Sequence, residues 1–305
     1  MKREACPLPV DAASAGERAA APERAGVSPS GAGSEASRVD MTGAQRLDVR
    51  VRRHGTETPG EDWLADEVPV ALIFNGISHA VMLATPLGLE DFALGFGLTE
   101  GLLAKPEELY GVDVLPDPAG LRVELEVSSA CFARLKDKRR SMTGRTGCGL
   151  CGTESLEQVE PPMPPLAPCA TPLAPAAIAA ALRAMPTRQR LQQRTGATHA
   201  AAWCAPDGTV LIVREDVGRH NALDKLVGAM IAERIDPRDG FACITSRASV
   251  EMVRKAVTAG ITALVAVSAP TARAVHTARA AGLALAGFAR RDELVLYADV
   301  DRFHD

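Results

Sequence analysis

Between residues 241 and 297, short apolar runs alternate with segments of helical length, and this alternation limits the possible architectures sharply. Residues 241–245 predict a strand, 249–259 a helix, 261–267 a strand and 271–281 a helix, with 283–288 and 294–297 as closing strands. Strands alternating with helices of this length predict an α/β unit: a largely parallel sheet with helices on its faces. Just upstream, 200–205 and 209–213 flank Pro206-Asp207-Gly208, a hairpin turn signal, and 221–234 has helical periodicity. Ligands in such sheets bind beyond the carboxyl ends of the strands, in the loops that follow.

The rest of the chain divides by composition. Residues 1–45 are rich in Ala, Gly, Ser, Pro and Glu, with few branched or aromatic apolar residues. Such a segment cannot bury enough surface to offset its ordering entropy, so a disordered tail is expected, with a docking peptide as the alternative. Residues 46–165 predict a smaller mixed β/α domain. Within it, 68–74 and 78–84 read as strands around Asn75-Gly76, 89–103 as a helix opening on Glu90 and Asp91, and 121–127 as a half-buried strand. A proline-rich stretch at 161–175 marks a linker, and 166–305 is the second domain.

Hydrophobic residues make up 47% of the chain and the net charge is −4, so nothing favours bulk attraction to nucleic acid. Seven cysteines at irregular spacings do not form a secreted disulfide framework. Cys204 and Cys243 lie inside apolar runs and read as core. No apolar run approaches the roughly 20 residues needed to cross a bilayer, and the N-terminus has no apolar signal core. A cytoplasmic protein without a membrane partner is expected.

Chemistry concentrates in Gly144-Arg145-Thr146-Gly147-Cys148-Gly149-Leu150-Cys151-Gly152, directly after the basic run of Arg134, Lys136, Lys138, Arg139 and Arg140. Two thiols among glycines are presented to a partner rather than packed. Neighbouring cations favour the thiolate, lowering a cysteine pKa from about 8.5 to roughly 3.5–7.5. Sulfur transfer suits this mobility and charge. A zinc half-site and a dithiol redox couple are alternatives, although no second close Cys/His pair completes a zinc site.

The second motif is Arg214-Glu215-Asp216-Val217-Gly218-Arg219-His220-Asn221-Ala222-Leu223-Asp224-Lys225, at a strand-to-helix junction beside the predicted crevice. Its polar groups read either as a site or as a helix cap with surface ion pairs of about 1 kcal/mol or less each. Thr245-Ser246-Arg247-Ala248-Ser249 and Val267-Ser268-Ala269-Pro270-Thr271 open helices and suit an anion, or simply cap those helices. Phe288-Ala289-Arg290-Arg291-Asp292-Glu293 could clamp a diphosphate or form a charged hairpin. Three successive strand ends with anion-binding chemistry point to a nucleotide-like ligand.

At these residues the chain resembles the formate dehydrogenase accessory sulfurtransferase family (FdhD) from about residue 68 to the C-terminus. The marks are Phe74-Asn75-Gly76, Thr99-Glu100-Gly101, the Cys148–Gly152 loop, the stretch 215–225, Thr245-Ser246-Arg247-Ala248-Ser249 and Gly287-Phe288-Ala289-Arg290. The resemblance implies a carrier that takes sulfur from a cysteine desulfurase as a persulfide. It then passes that sulfur to the molybdenum cofactor, in bis(guanine dinucleotide) form, before insertion into the formate dehydrogenase apoenzyme. It further implies Cys148 as persulfide carrier and Cys151 as its partner. Residues 288–293 match the cofactor-binding stretch, and Arg247, Ser246, His220 and Arg219 complete the expected cofactor contacts. The implied fold has a C-terminal cytidine-deaminase-like three-layer domain, and the implied assembly is a homodimer. No permanent metal is expected: His-x-Glu and Pro-Cys-x-x-Cys, the deaminase zinc signature, are missing from this sequence.

Overall fold

The structure is a computed structural model, and it describes residues 43–142, 163–169, 171–290 and 293–304, with side chains described outside 137–142. The expected tail lies outside these residues except at 43–45, and Ala44 and Gln45 already belong to a strand. That strand, β1 (Ala44–Arg53), pairs antiparallel with β2 (Thr56–Ala65) in a separate two-stranded ribbon. No strand signal is legible here because both faces of the ribbon are largely wet, so charged residues interrupt any alternation.

A four-stranded sheet follows, in the order β4 (Ile77–Ala84), β3 (Val68–Phe74), β6 (Gly120–Val127), β5 (Leu109–Asp117). The expected hairpin is present: Phe74 pairs with Ile77 across Asn75 and Gly76, whose φ values of 45° and 78° fit the turn such a two-residue loop requires. Every second residue of β3 faces inward, and Val70, Leu72 and Phe74 are fully buried against Phe92 and Phe96 of α1 (Leu89–Thr99). Each such side chain contributes about 1.5–3 kcal/mol by leaving water. Helix α1 stops short of the expected residue 103. Gly101, at φ 64°, lets its N–H reach Leu98 O at 2.9 Å, and Leu102 N returns to Gly97 O at 2.8 Å. The chain therefore folds back over the helix end, as a left-handed glycine permits. The basic run lies on α2 (Ser129–Met142).

The larger sheet has the order β12 (Glu293–Ala298), β11 (Ala284–Arg290), β10 (Ala263–Ala266), β9 (Phe241–Ile244), β7 (His199–Cys204), β8 (Val210–Asp216). It is parallel only at β9–β10–β11; the three outer pairings are antiparallel. This corrects the expectation of a largely parallel sheet. Pairs joined by tight turns, β7–β8 and β11–β12, must run antiparallel, while the helical crossovers α6 (Val250–Thr258) and α7 (Ala272–Ala281) impose the parallel pairings. Helices α5 (Arg219–Ala232), α6 and α7 cover one face, and α3 (Pro175–Arg188) covers the other, so the sheet is the middle of three layers. A short helix, α4 (Arg190–Thr195), leads into β7. Cys204 and Cys243 are fully buried, as expected. Among the described residues, no helix is long and apolar enough to cross a membrane.

The two sheets meet through α1 and α5. Gly95 and Gly228 bring the helix backbones together: a Cβ on Gly95 would lie 1.8 Å from Asp224 O, and one on Gly228 would lie 1.9 Å from Asp91 O.

Candidate functional site

The parallel strands end at one edge of the larger sheet, and the loops that leave them form a continuous rim. Backbone hydrogen bonds join the loops: Val267 N to Ile244 O at 2.9 Å, Thr271 N to Ala248 O at 3.1 Å, and Phe288 N to Ser268 O at 3.1 Å. The three stretches read as anion sites are therefore neighbours, although 43 residues separate the first from the last in sequence (245 to 288). The sequence could show the motifs but not this contact.

Within the rim, Ser246 is buried and its hydroxyl donates to Arg247 O at 3.1 Å, while the Arg247 side chain is exposed. Phe288 is 45% exposed, with a left-handed φ of 51°, a conformation that costs a non-glycine residue about 1–3 kcal/mol. Ala289 beside it is buried. Arg290 and Glu293 are exposed and pair across the β11–β12 hairpin. Arg291 and Asp292 lie outside the described residues, as do Cys148 and Cys151. Of the cations read as flanking the thiols, Arg134 is already engaged: it pairs with Glu108 and donates to Leu102 O from Nε at 3.2 Å. Lys136 lies 4.3 Å from the Phe132 ring centre.

The long motif at 214–225 divides into two groups. Asp216, fully buried, accepts four hydrogen bonds: from Thr85 N (3.0 Å), Lys225 Nζ (2.6 Å), Gly218 N (2.8 Å) and Asn221 Nδ2 (3.0 Å). Lys225 also donates to Thr85 O at 2.9 Å, and Asn221 to Leu83 O at 2.9 Å. Asp224 accepts from Thr99 Oγ1 at 2.6 Å and from Lys255 Nζ at 2.9 Å, and Lys255 also pairs with Glu100 at 2.7 Å. Burial pushes the Asp224 carboxyl up to about 6 against the pull of Lys255. Burial alone would lower Lys255, but Asp224 and Glu100 outweigh it and hold the ammonium above its ordinary range. Glu215 accepts from Leu191 N at 3.0 Å and Gln192 N at 2.8 Å at the start of α4. These side chains join the four-stranded sheet and α1 to α5 and α6. Of these, Asp216–Lys225 and Asp224–Lys255 are buried ion pairs, in contrast to the surface pairs that the sequence offered as one alternative.

Arg219 and His220 are the exceptions. They stand at the first turn of α5, and Arg219 Nε and His220 Nε2 are buried without a hydrogen-bond partner among the described residues. Burial, then the charges of Arg219 and Lys255, push the His220 imidazole down to about 4, with Glu251 and Glu100 opposing. It is therefore neutral at physiological pH. His199, at the start of β7, is also lowered, by burial and then by Arg219. Its Nδ1 lies 3.5 Å from Thr245 Oγ1. His199 and Thr245 line an open groove of about 510 Å³ with Gln189, Gln192, Gly196, Ala197 and Thr198. Neither His199 nor the two glutamines belongs to a motif legible in the sequence. A lone histidine ahead of an alanine run carries no motif, and only the pairing of β7 with β9 places it beside Thr245.

The arrangement offers exposed guanidinium groups, a partly exposed aromatic ring, orphaned donors and a polar groove on one sheet edge. That set can hold an extended anion with a planar base. Among the described residues, no three His, Cys, Asp or Glu side chains converge as a metal-ligand set.

The profile of the FdhD/NarQ family matches residues 65–304. A protein of Variovorax paradoxus named sulfur carrier protein FdhD is 56% identical over 254 residues, covering 83% of this chain and 91% of its own. A protein of the same name from Bordetella petrii is 52% identical over 266 residues, covering 87% and 95%. A crystal structure from Desulfotalea psychrophila, described as a formate dehydrogenase accessory protein, superposes with a TM-score of 0.66 at 22% identity, covering 85% of this chain and 99% of that one. The last likeness concerns the fold.

Proposed function

Since the chain belongs to the FdhD/NarQ family, we propose that it is a sulfur carrier that receives a persulfide on Cys148 and delivers the sulfur to a guanine-dinucleotide molybdenum cofactor destined for formate dehydrogenase. The observation that carries this reading is the stitched rim. It presents Arg247, Phe288 and Arg290 to solvent, with the orphaned Arg219 Nε and His220 Nε2 at the nearby start of α5. Guanidinium groups suit the diphosphates of such a substrate bidentately. The neutral His220 and the His199 groove suit a base.

The chemistry divides into two balanced steps. Cys148 thiolate attacks the outer sulfur of a cysteine desulfurase persulfide, the donor S–S bond breaks, and the donor thiolate leaves. Cys148 then carries S–SH. At the cofactor, Cys151 thiolate attacks the inner sulfur of Cys148 and hydrosulfide departs to the acceptor. The dithiol is oxidised to a disulfide as the sulfane sulfur is reduced, and a cellular dithiol restores it. Alternatively, Cys151 shares the persulfide without forming a disulfide.

The same reading makes residues 166–305 a cytidine-deaminase-like three-layer domain beside a mixed β/α domain of residues 46–165. It also makes the protein a cytoplasmic homodimer and a sulfurtransferase rather than an oxidoreductase. The test is intact mass after incubation with a cysteine desulfurase and cysteine. Wild type gains one sulfur. Cys148→Ala gains none there, still binds guanosine diphosphate, and fails to activate formate dehydrogenase. Full activation by a Cys148→Ser/Cys151→Ser variant would overturn the sulfur-carrier reading.

A further inference from the structure

Two surfaces away from the rim complement each other in polarity and charge. The first is the β1–β2 ribbon. Val49 pairs with Gly60, where an added Cβ would lie 3.1 Å from Val51 Cγ2, so Leu47, Val49 and Val51 share one face with that glycine. Leu47 is exposed, and Val49 and Val51 are half-buried. Near the tip, Arg50 faces Glu57 at 3.6 Å, but the side chains of Arg52 and Arg53 have no ion-pair partner among the described residues. The ribbon is anchored only at its base, where the Arg194 guanidinium of α4 lies 4.4 Å from the Trp63 ring centre. Residues 46–62 reach no other element through a hydrogen bond, ion pair or ring contact among the described residues. A two-stranded ribbon standing alone is marginal in water, and a surface packed on its apolar face would stabilise it.

The second surface is the outer face of the four-stranded sheet, turned away from α1. Val123 and Leu125 of β6 point into the core, so Arg122, Glu124 and Glu126 point outward. On the β4 side this face is apolar: Val81 pairs with Ala71 and Leu83 with Pro69, and Val81 and Leu83 are 63% and 55% exposed. On the β5 side it is acidic. Asp113 stands directly opposite Glu124, an arrangement of like charges that destabilises a sheet. Arg122 meets Glu124 at 3.2 Å and Asp117 at 3.6 Å, while Asp113 and Glu126 have no cation beside them among the described residues.

We propose that the ribbon of one copy of this chain packs on the outer sheet face of a second copy, and the reverse, forming a two-fold dimer. The proposal rests on the homodimer reading above and supplies its interface. Leu47, Val49 and Val51 meet Val81 and Leu83, and the free Arg52 and Arg53 meet the free Asp113 and Glu126. The charge match favours a second copy because each chain carries both halves of it. A two-stranded face of ten residues covers roughly 300 Å². Two reciprocal contacts, counted on both copies, therefore bury about 1,200 Å², the lower end of a stable interface.

The test is sedimentation of the full chain at micromolar concentration, with folding checked by circular dichroism. Wild type is a dimer. Arg52→Glu/Arg53→Glu and Asp113→Lys/Glu126→Lys each set like charges together and weaken dimerisation at least about tenfold. Mixing the two variants restores a dimer, because each ribbon then meets an opposite charge on the other chain. Variants that each stay dimeric, or a mixture that stays monomeric, would overturn this interface and leave the homodimer reading standing. A monomeric wild type would overturn both.

Discussion

At His220, burial and the charges of Arg219 and Lys255 oppose protonation in the folded chain, moving the imidazole from 6.5 to about 4. The unfolded chain meets no such opposition. Between these two values the unfolded state binds more protons, so stability falls as pH drops from about 6.5 to about 4. His220→Asn removes this dependence. The expected outcome is a wild-type Tm that declines more steeply than the variant's between pH 7 and pH 5. Parallel slopes would show that the imidazole is not held neutral. The motif was legible in the sequence at 214–225, but the division of labour within it was not. Asp216 and Lys225 lie six residues or fewer from His220, yet they turn inward because Thr85 offers them a buried N–H and carbonyl.

At the scale of elements, α1 and α5 show how spacing can mislead. A glycine inside a helix costs about 1 kcal/mol relative to alanine, so propensity alone makes Gly228→Ala stabilising. The added Cβ would instead lie 1.9 Å from Asp91 O, and backbone cannot yield without separating the helices. Gly228→Ala is therefore expected to destabilise by several kcal/mol, on the order of an overpacked core, read as a lower midpoint in urea. An unchanged or raised midpoint would mean that the helices are less closely apposed. The strand and helix positions in the second half were legible because a packed sheet repeats its apolar runs. Helix α3 was not, because proline at both ends of 175–186 and an alanine-rich face resemble a linker.

Across the whole molecule, the buried Asp216–Lys225 and Asp224–Lys255 pairs join the two sheets, with Glu100 meeting Lys255 from the solvent side. Removing one partner leaves the other charge buried and uncompensated, at a cost of about 3–5 kcal/mol. Lys225→Met should lower Tm accordingly, and Asp216→Asn combined with Lys225→Met should recover much of the loss, because no unpaired charge is left. Equal losses in the single and double variants would show that hydrogen-bond geometry, not charge, governs this junction. The sequence by itself determined most of the local elements and marked residues 245–249, 267–271 and 288–293 as candidate anion sites, because turn chemistry, periodicity and residue type act over a few neighbours. Only the tertiary structure decided that those three stretches share one rim, that His199 faces Thr245, and that Arg302 meets Thr171 O and Thr262 O. Each of these juxtapositions depends on strand order, and strand order is set by how distant apolar faces bury one another.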